Sequence, residues 1–138
     1  MRIAKEFVWE MSHRLPYHEG NCKNIHGHSY KMELSLEGEP NENGMLIDFY
    51  HIERIVRPII EQLDHSFIVD KQDKLMIDFL ANNNFRHFVI DNFTTCENIS
   101  KFLAEHFKQE FRKFPNIKKI GIKVFETVDA FAAIEAYL

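Results

Sequence analysis

Residues 28–37, which read HSYKMELSLE, form the stretch that decides the fold class. Apolar and polar side chains alternate along it, with Tyr30, Met32, Leu34 and Leu36 on one face and Lys31, Glu33, Ser35 and Glu37 on the other. This period of two is typical of an antiparallel strand with one buried side. The same period puts His28 in line with the apolar face, which predicts an imidazole at the mouth of a buried surface.

The N-terminal half predicts one further strand and one long helix. Residues 2–12 are rich in β-forming side chains and predict a strand that ends near His13. A loop is expected over residues 16–25. Beyond the central strand, Asp48 is placed to cap a helix over residues 49–63, whose apolar residues recur at helical spacing.

The C-terminal half predicts a second long helix and two more strands. Thr94-x-x-Glu97 matches the capping-box sequence, which would start a helix that continues to about Lys113. Strands are predicted over residues 118–126 and 131–137.

The segment over residues 66–93 carries the least regular pattern of the chain. It predicts a short helix near residues 73–81 and a strand near residues 85–90. The order of the long elements is then ββααββ, without βαβ alternation. This order predicts an α+β domain over residues 1–138, with an antiparallel four-stranded sheet and two long helices on one face.

Length and composition indicate the size of the domain and the kinds of partner that the chain can bind. With 138 residues, 45% of them hydrophobic, the chain can bury a core as a single domain. The formal net charge is -4 and no basic cluster is interleaved with aromatic residues, so no nucleic acid partner is expected. Thirteen phenylalanines in so short a chain indicate either a dense core or apolar surface that another subunit covers.

The chain shows no pattern of export or membrane insertion. No apolar stretch approaches the length needed to cross a bilayer, and residues 1–6 lack the apolar core of a signal peptide. We therefore expect a cytoplasmic protein with no membrane partner. In that reducing compartment Cys22 and Cys96 are expected as free thiols, although two cysteines could form one disulfide.

Metal-ligating side chains are concentrated near the N-terminus, in residues 22–28, which read CKNIHGH, and in His13 upstream. On a strand, His26 and His28 project from the same face, and His13 would supply a third imidazole. Three protein ligands leave one position of a tetrahedral zinc open, which is the catalytic arrangement. The alternatives are that H-x-H marks only the polar face of a strand, and that His13 is hydrogen-bonded to backbone.

Several short motifs, taken in order, resemble the signature of the 6-pyruvoyltetrahydropterin synthase family over nearly the whole chain. They are His13, Cys22-x-x-x-His26-Gly27-His28-Ser29-Tyr30, Ile47-Asp48-Phe49, Leu63-Asp64-His65, Thr95-x-Glu97-Asn98 and Glu126-Thr127. A cysteine four residues before the first histidine of H-G-H is similar to the bacterial 6-carboxytetrahydropterin synthases of the queuosine pathway. Residues 128–131 match no pattern of the family.

The resemblance implies that His13, His26 and His28 bind zinc, which would hold side-chain oxygens of the substrate. It also implies that Cys22 is the general base that moves protons on the substrate side chain. The loop around Cys22 is polar, flanked by lysine and next to the proposed cation, and such surroundings favour a thiolate. The alternative is a small buried thiol without a chemical role.

Asp64 and His65 are implied as the pair that assists Cys22. Asp64 would orient the His65 imidazole and stabilise its charge. Adjacent side chains on a regular helix do not face each other, so this pairing requires an irregular backbone after Leu63. The alternative is that the pair only ends the helix, where a histidine is favourable.

Glu126 is implied as the anchor of the pterin ring, with Thr95 and Glu97 as further substrate-binding residues. Alternation places Glu126 on the apolar face of its strand, where a carboxylate needs a partner. A pterin offers two N–H donors in a fork that matches both carboxylate oxygens. The alternatives are a surface glutamate at a strand end and, for Glu97, a role in the capping box alone.

The activity that the resemblance implies is that of a zinc-dependent 6-carboxytetrahydropterin synthase, a carbon-carbon lyase. It would convert 7,8-dihydroneopterin triphosphate to 6-carboxytetrahydropterin, acetaldehyde and triphosphate. The nearest alternative is a 6-pyruvoyltetrahydropterin synthase, which eliminates triphosphate and keeps all side-chain carbons. A pterin- or zinc-binding module without turnover is disfavoured because Cys22, Asp64 and His65 occur together, and an unrelated zinc hydrolase because no H-E-x-x-H motif occurs.

The predicted sheet has two edges with unpaired backbone groups, which are commonly covered or joined to another chain. Members of the resembling family join their sheets into trimeric β-barrels of the tunnelling fold and stack two such barrels. The resemblance therefore implies a homohexamer. Its pocket would take the histidines from one chain and Glu126 at least partly from a neighbour.

Overall fold

The computed structural model describes all 138 residues of the chain. It contains six strands and three α-helices, with a short 3-10 turn over Asn21–Lys23. In chain order they are β1 (Arg2–His13), β2 (His26–Gly38), α1 (Phe49–Leu63), β3 (Ser66–Asp70), α2 (Lys74–Asn82), β4 (His87–Ile90), α3 (Cys96–Phe111), β5 (Ile117–Phe125) and β6 (Phe131–Tyr137).

All strands join one sheet in the order β4-β3-β1-β2-β5-β6. The strands β1, β2, β5 and β6 are antiparallel, and β1 pairs with β2 along its whole length, up to the pair His13 and His26. On the other side of β1, β3 and β4 are parallel to their neighbours. The β1–β2 pair thus forms the middle of the sheet and brings two of the predicted metal ligands opposite each other.

The prediction of an antiparallel four-stranded sheet is wrong, because β3 and β4 make it a mixed six-stranded one. β3 reads SFIVD, and all 5 of its residues are buried. A strand covered on both faces lacks the alternation that reveals a half-buried strand, so the pattern does not predict it. The helix and strand predicted near residues 73–81 and 85–90 are confirmed as α2 and β4. Together with β3 they form a βαβ unit, which the predicted order ββααββ lacked.

The two long helices, α1 and α3, pack on one face of the sheet as predicted, whereas α2 packs on the opposite face. Ile68 of β3 belongs to the main core with α1 and α3. Its neighbour Phe67 points the other way and forms a separate cluster with Met76 and Leu80 of α2. We call the side of β1 and β2 that α1 and α3 cover the helix face. The other side, which includes Glu10, is called the open face.

The main core lies between the helix face and the two long helices. From β1 and β2 it takes Phe7, Trp9, Met11, Tyr30, Met32, Leu34 and Leu36. The buried stripe of α1 consists of Ile52, Val56, Ile59, Ile60 and Leu63. Burial of each such side chain stabilises the fold by roughly 1.5–3 kcal/mol, so the strands that carry the histidines rest on a rigid base.

The N-cap residue predicted from the sequence is confirmed for α1 and is wrong for α3. Asp48 accepts a hydrogen bond from the backbone of the first turn of α1 at 2.8 Å. The capping box predicted from Thr94 is wrong by one residue, because the Asn98 N–H donates to the hydroxyl of Thr95 at 3.2 Å. Glu97 therefore has no part in a reciprocal cap, and buried Thr94 is left for another contact.

No helix of the chain is both long enough and apolar enough to span a membrane. Cys22 and Cys96 are both free thiols, as predicted.

Candidate active site

Three imidazoles meet on the helix face at the end of the β1–β2 pair. His13 and His26 lie opposite each other in the register, and His28 follows on the same face of β2. The Nε2 atoms of His13 and His26 are 3.1 Å apart, and one ligand atom from each of the three side chains falls within 4.8 Å of the others. The structure thus brings together the three residues that the sequence predicts as metal ligands.

The hydrogen bonds of these rings fix which nitrogen faces the site. His13 Nδ1–H donates to the Thr94 carbonyl at 2.7 Å, and His26 Nδ1–H donates to the Asn24 carbonyl at 2.8 Å. Each Nε2 is then a lone-pair acceptor, since a neutral imidazole carries one hydrogen. Such second contacts orient the histidine ligands of metal sites in other proteins.

The resulting arrangement fits a cation. Two acceptor nitrogens, from His13 and His26, face each other at 3.1 Å with no hydrogen between them. The Nε2 of His28 is buried and has no hydrogen-bond partner. Two ligand atoms on one tetrahedral zinc lie about 3.3 Å apart, given bonds of about 2.0–2.1 Å, so a zinc ion would satisfy all three nitrogens.

Burial favours the neutral form of two of the imidazoles. It lowers the pKa of His13 and of His28 below the ordinary value for histidine, because a positive charge is poorly solvated there. The neutral ring is the form that binds a metal. The interpretation of His13 as a histidine that only bonds backbone is therefore incomplete, since that bond uses Nδ1 and leaves Nε2 for the cluster.

Glu126 points into the same site from the end of β5. Its Oε1 lies 3.5 Å from Nε2 of His13 and 3.9 Å from Nε2 of His28. Its side chain is 27% exposed, so it is not a free surface glutamate. The resemblance implied that a neighbouring chain supplies Glu126 at least in part. That expectation needs correction, because the carboxylate reaches the histidines of its own chain.

Tyr30 is a residue of the site that sequence reasoning assigned only to the core. It is 1% exposed, and its hydroxyl donates to Oε1 of Glu126 at 3.4 Å. Burial, helped by the Glu126 carboxylate, raises the pKa of the hydroxyl far above its usual range, so it stays protonated. The sequence contains a signal for this placement, because Tyr30 follows His26 and His28 at alternate positions of one strand. Side chains at alternate positions share one face of the sheet.

Cys22 lies on the 3-10 turn within the loop that joins β1 to β2, and it is partly buried. Its carbonyl accepts a hydrogen bond from the Leu15 N–H at 2.8 Å, which closes the loop. Its sulfur is not a member of the metal-ligand cluster. The other thiol, Cys96, donates to the Val124 carbonyl at 3.2 Å, and burial raises its pKa, as suits an unreactive side chain.

Asp64 and His65 form the predicted contact, with Nδ1 of His65 3.0 Å from Oδ2 of Asp64. The irregular backbone that this pairing requires is confirmed, because His65 has a positive φ of 53°. Glu10 fixes both residues: its N–H donates to Asp64 at 2.8 Å and its carbonyl accepts from the His65 N–H at 2.7 Å. The Glu10 N–H, and then His65, hold the pKa of the Asp64 carboxyl below its usual value.

The Asp64–His65 pair lies on the other side of the sheet from the histidine cluster. The His65 side chain is 75% exposed and lines a cavity of about 410 Å³ with open-face residues such as Glu10, Ser12 and Ser29. His13 and Glu126 meet on the helix face instead. His28 also borders this cavity, but the Asp64–His65 pair makes no contact with the three imidazoles of its own chain.

Thr95 and Glu97 are not in contact with the histidines either. The Thr95 hydroxyl accepts the cap bond of α3, and Glu97 is exposed on the first turn. Thr94, which sequence reasoning treated only as a cap, holds the ring of His13 through its carbonyl. Its hydroxyl donates to the Arg14 carbonyl at 3.1 Å, so it joins α3 to the end of β1.

Comparison with known proteins identifies the family to which this site belongs. A model of the family described as 6-pyruvoyl tetrahydropterin synthase matches residues 2–136. The chain belongs to this family. The 6-carboxy-5,6,7,8-tetrahydropterin synthase of Haemophilus influenzae is 31% identical to it, over 94% of this chain and 95% of that protein. The enzyme of the same name from Aquifex aeolicus is 28% identical, over 94% of each.

Solved structures of the 6-pyruvoyltetrahydropterin synthase family share the fold. A catalytic-residue mutant of the Plasmodium vivax enzyme matches with a TM-score of 0.80 at 21% identity, over 100% of this chain and 98% of that one. The Caenorhabditis elegans enzyme matches with a TM-score of 0.71 at 20% identity, over 99% and 95%. Enzymes of this family are lyases that act on pterins, which agrees with the predicted enzyme class.

Proposed function

We propose that the chain is a zinc-dependent 6-carboxytetrahydropterin synthase, a carbon-carbon lyase of queuosine biosynthesis. Its substrate would be 7,8-dihydroneopterin triphosphate, and its products 6-carboxytetrahydropterin, acetaldehyde and triphosphate. The observation that carries the proposal is the meeting of three imidazoles with one carboxylate, where Glu126 lies 3.5 Å from His13. The names of the Haemophilus and Aquifex relatives favour the 6-carboxy product over the 6-pyruvoyl product.

His13, His26 and His28 would hold the metal. Zinc suits them because three neutral imidazoles would leave the ion its whole 2+ charge. They would also leave one of its four coordination positions open. When bound, the ion acts as a Lewis acid on a side-chain oxygen of the substrate and lowers the pKa of that hydroxyl. The carbonyls of Thr94 and Asn24 orient two of the rings, which supports a rigid site.

Glu126 would anchor the pterin ring by accepting its two N–H groups. The contacts of this carboxylate within the chain all use Oε1, which leaves Oε2 and a second lone pair of Oε1 for a ligand. A paired hydrogen bond of this kind would place the substrate side chain against the histidines. Thr95 and Glu97 are proposed as outer contacts, since they adjoin Thr94, whose carbonyl touches His13.

Cys22 would be the general base that removes and returns protons on the substrate side chain. Asp64 and His65 would assist, with the carboxylate orienting the ring at 3.0 Å. Because this pair is on the opposite side of the sheet from the histidines of its own chain, we propose that it serves the site of a neighbouring copy.

The free edges of the sheet support such an assembly. β3 pairs with β1 only at Met11 and Ser12, so residues 2–9 of β1 have an unpaired outer edge. β6, at residues 131–137, is the other edge of the sheet. We propose that β6 of one copy pairs with β1 of the next, so that three sheets close a barrel and two barrels form a homohexamer. Antiparallel pairing would bring Glu126, just before β6, beside His65 of the neighbouring copy.

A product analysis tests the proposed reaction. The purified, zinc-loaded protein is incubated with 7,8-dihydroneopterin triphosphate, and the products are identified by mass. We expect 6-carboxytetrahydropterin together with an equal amount of acetaldehyde. A 6-pyruvoyl product without acetaldehyde would assign the alternative activity, and unchanged substrate would overturn both.

A further inference from the structure

The segment between β4 and α3 reaches the end of β1 through a buried residue, Thr94. Thr94 is 1% exposed and lies outside every helix and strand. Its carbonyl accepts a hydrogen bond from Nδ1 of His13 at 2.7 Å, and its hydroxyl donates to the Arg14 carbonyl at 3.1 Å. One residue therefore contacts two consecutive residues of the chain, and the first of them is a candidate metal ligand.

Regular backbone pairing does not fix the carbonyl of Thr94. No backbone N–H donates to it, since β4 ends before this segment at Ile90 and α3 begins after it at Cys96. Segments without such pairing are commonly the mobile parts of a fold. The orientation of the His13 ring therefore depends on the side-chain contact that holds Thr94 in place.

The hydroxyl of Thr94 supplies this contact. Threonine is branched at Cβ, so its χ1 torsion is stiff, and a bonded hydroxyl restrains the backbone of the same residue. The acceptor is itself anchored, because the Arg14 guanidinium donates to both oxygens of Asp73 at 2.7 and 2.8 Å. The two hydrogen bonds of Thr94 thus close a small buried ring with His13 and Arg14.

We propose that Thr94 is a positioning residue of the metal site: its hydroxyl holds the carbonyl that fixes the tautomer and orientation of the His13 ring. The inference rests on the proposed function, because it concerns the same three imidazoles. With the hydrogen on Nδ1, the Nε2 of His13 keeps a lone pair toward the cluster, 3.1 Å from Nε2 of His26. In the other tautomer Nε2 carries the hydrogen and cannot bind a metal.

The substitution Thr94→Val tests the proposal, because it removes the hydroxyl and keeps the branched shape. We expect the dissociation constant of zinc to rise about tenfold to a hundredfold, the usual effect of losing an outer partner of a histidine ligand. Competition with a colorimetric zinc chelator measures it. Thr94→Ser keeps the hydroxyl and should bind zinc nearly as tightly as the parent.

The tautomer of His13 in the metal-free protein is a second, independent readout. Long-range ¹⁵N–¹H NMR spectra of the histidine side chains show it at about pH 8, where an ordinary histidine is neutral. We expect the Nδ1–H form in the parent and a mixture of both tautomers in Thr94→Val. His26 is the internal control, since its Nδ1–H donates to the Asn24 carbonyl instead and should not change. The signals of His13 are identified by their loss in His13→Gln.

Ser100→Ala is the matched control for the loss of a buried hydroxyl. Ser100 is also 1% exposed, and its hydroxyl donates to the Cys96 carbonyl at 2.8 Å within α3. This variant should lose thermal stability as Thr94→Val does, but keep the zinc affinity and the His13 tautomer of the parent. Thr94→Ala also lacks the hydroxyl, and it should repeat both effects if the valine variant folds poorly.

The outcomes separate this inference from the proposed function. A Thr94→Val protein with the zinc affinity or the His13 tautomer of the parent would overturn the role of Thr94. Equal losses of zinc affinity in Ser100→Ala and Thr94→Val would overturn it too, as would a Thr94→Ser variant no better than Thr94→Val. A parent protein that binds no zinc refutes the proposed metal site, and the His13 tautomer then decides about Thr94 alone.

Discussion

At the scale of single residues, the site is defined by which nitrogen each ring turns inward. His13 and His26 donate through Nδ1 to the backbone, so two lone pairs meet at 3.1 Å. Without a cation these nitrogens repel each other, and the buried Nε2 of His28 lacks a partner as well. A metal ion bound by these three imidazoles would therefore stabilise this end of the sheet.

Replacing a ligand should remove the metal. We expect about one zinc per chain in the parent, and a loss of affinity of more than about a hundredfold in His26→Ala or His28→Ala, measured by metal analysis after dialysis against a chelator. His51→Ala, an exposed histidine on α1, should retain zinc. Full zinc content in both ligand variants would contradict the metal site.

Cys22 provides a separate test of the chemistry. Cys22→Ala should keep zinc and fold normally but turn over roughly a hundredfold to ten-thousandfold more slowly, the usual contribution of a general base. Cys96→Ser, which keeps the donor to the Val124 carbonyl, should have nearly the rate of the parent. A Cys22→Ala enzyme with near-normal kcat would show that another group is the base.

Several of these residues could be predicted from the sequence because their signals are local. H-x-H on an alternating strand gives two ligands on one face, and the contact between Asp64 and His65 follows from family motifs. Tyr30 was not predicted as a site residue because it fits the apolar alternation of its strand. The polar partner of its hydroxyl, Glu126, lies 96 residues away in the sequence. Thr94 and Thr95 are adjacent candidates for one cap, and only tertiary contacts decide between them.

At the scale of elements, the β3-α2-β4 unit shows where the sequence pattern fails. The strands β1, β2 and β5 each have one buried side, and β6 alternates between exposed and half-buried residues, so period-two alternation predicts all four within a few residues. β3 is buried on both sides because α2 covers the face that α1 and α3 leave open. The sequence of one strand does not show whether a helix covers its second face.

An ion pair ties α2 to the end of β1. Arg14 donates to both oxygens of Asp73 at 2.7 and 2.8 Å, and Asp73 also accepts from the backbone of the first turn of α2. The Arg14 guanidinium holds the pKa of the Asp73 carboxyl below its usual value. A lowered folded-state pKa means that this stabilisation is complete above the ordinary carboxyl pKa and is lost as pH falls through the lowered one.

Asp73→Asn should therefore destabilise the protein in a pH-dependent way. The amide keeps the cap but loses the charge, so we expect the free energy of unfolding to fall by about 1–3 kcal/mol at pH 7. The difference from the parent should shrink below about pH 4, near the ordinary carboxyl pKa. Urea denaturation at pH 7 and pH 3 measures this difference in the free energy of unfolding. The control is Asp78→Asn, a substitution at an exposed position of the same helix. An equal difference at both pH values would contradict the ion-pair explanation.

At the scale of the whole molecule, the exposed apolar side chains suggest that one chain is incomplete. Phe7, Phe67, Phe107 and Phe111 are buried, whereas Phe49, Phe79, Phe85, Phe93 and Phe131 are among the exposed large apolar residues. The phenylalanines thus supply both core and exposed apolar surface, and the exposed ones support the proposed assembly. Val8 on the free edge of β1 and Phe131 on β6 are 68% and 52% exposed, at the two edges proposed to pair.

If copies share a site, two inactive variants should restore each other. In a mixed oligomer of Glu126→Ala and His65→Ala chains, some sites take an intact Glu126 from one chain and an intact His65 from its neighbour. Random mixing would make about a quarter of the sites complete, since each partner is chosen with even odds. Activity should therefore reach roughly a quarter of the parent value after co-refolding of the two variants.

The matched control pairs two variants from the same side of the sheet. Glu126 and His26 both adjoin His13 of the same chain, since Nε2 of His13 lies 3.1 Å from Nε2 of His26 and 3.5 Å from Oε1 of Glu126. A mixture of Glu126→Ala and His26→Ala chains therefore leaves every site with one defect and should stay inactive. Light scattering on each mixture confirms that oligomers have formed. Recovery in neither mixture, or equal recovery in both, would contradict a site built from the helix face of one copy and the Asp64–His65 pair of the next.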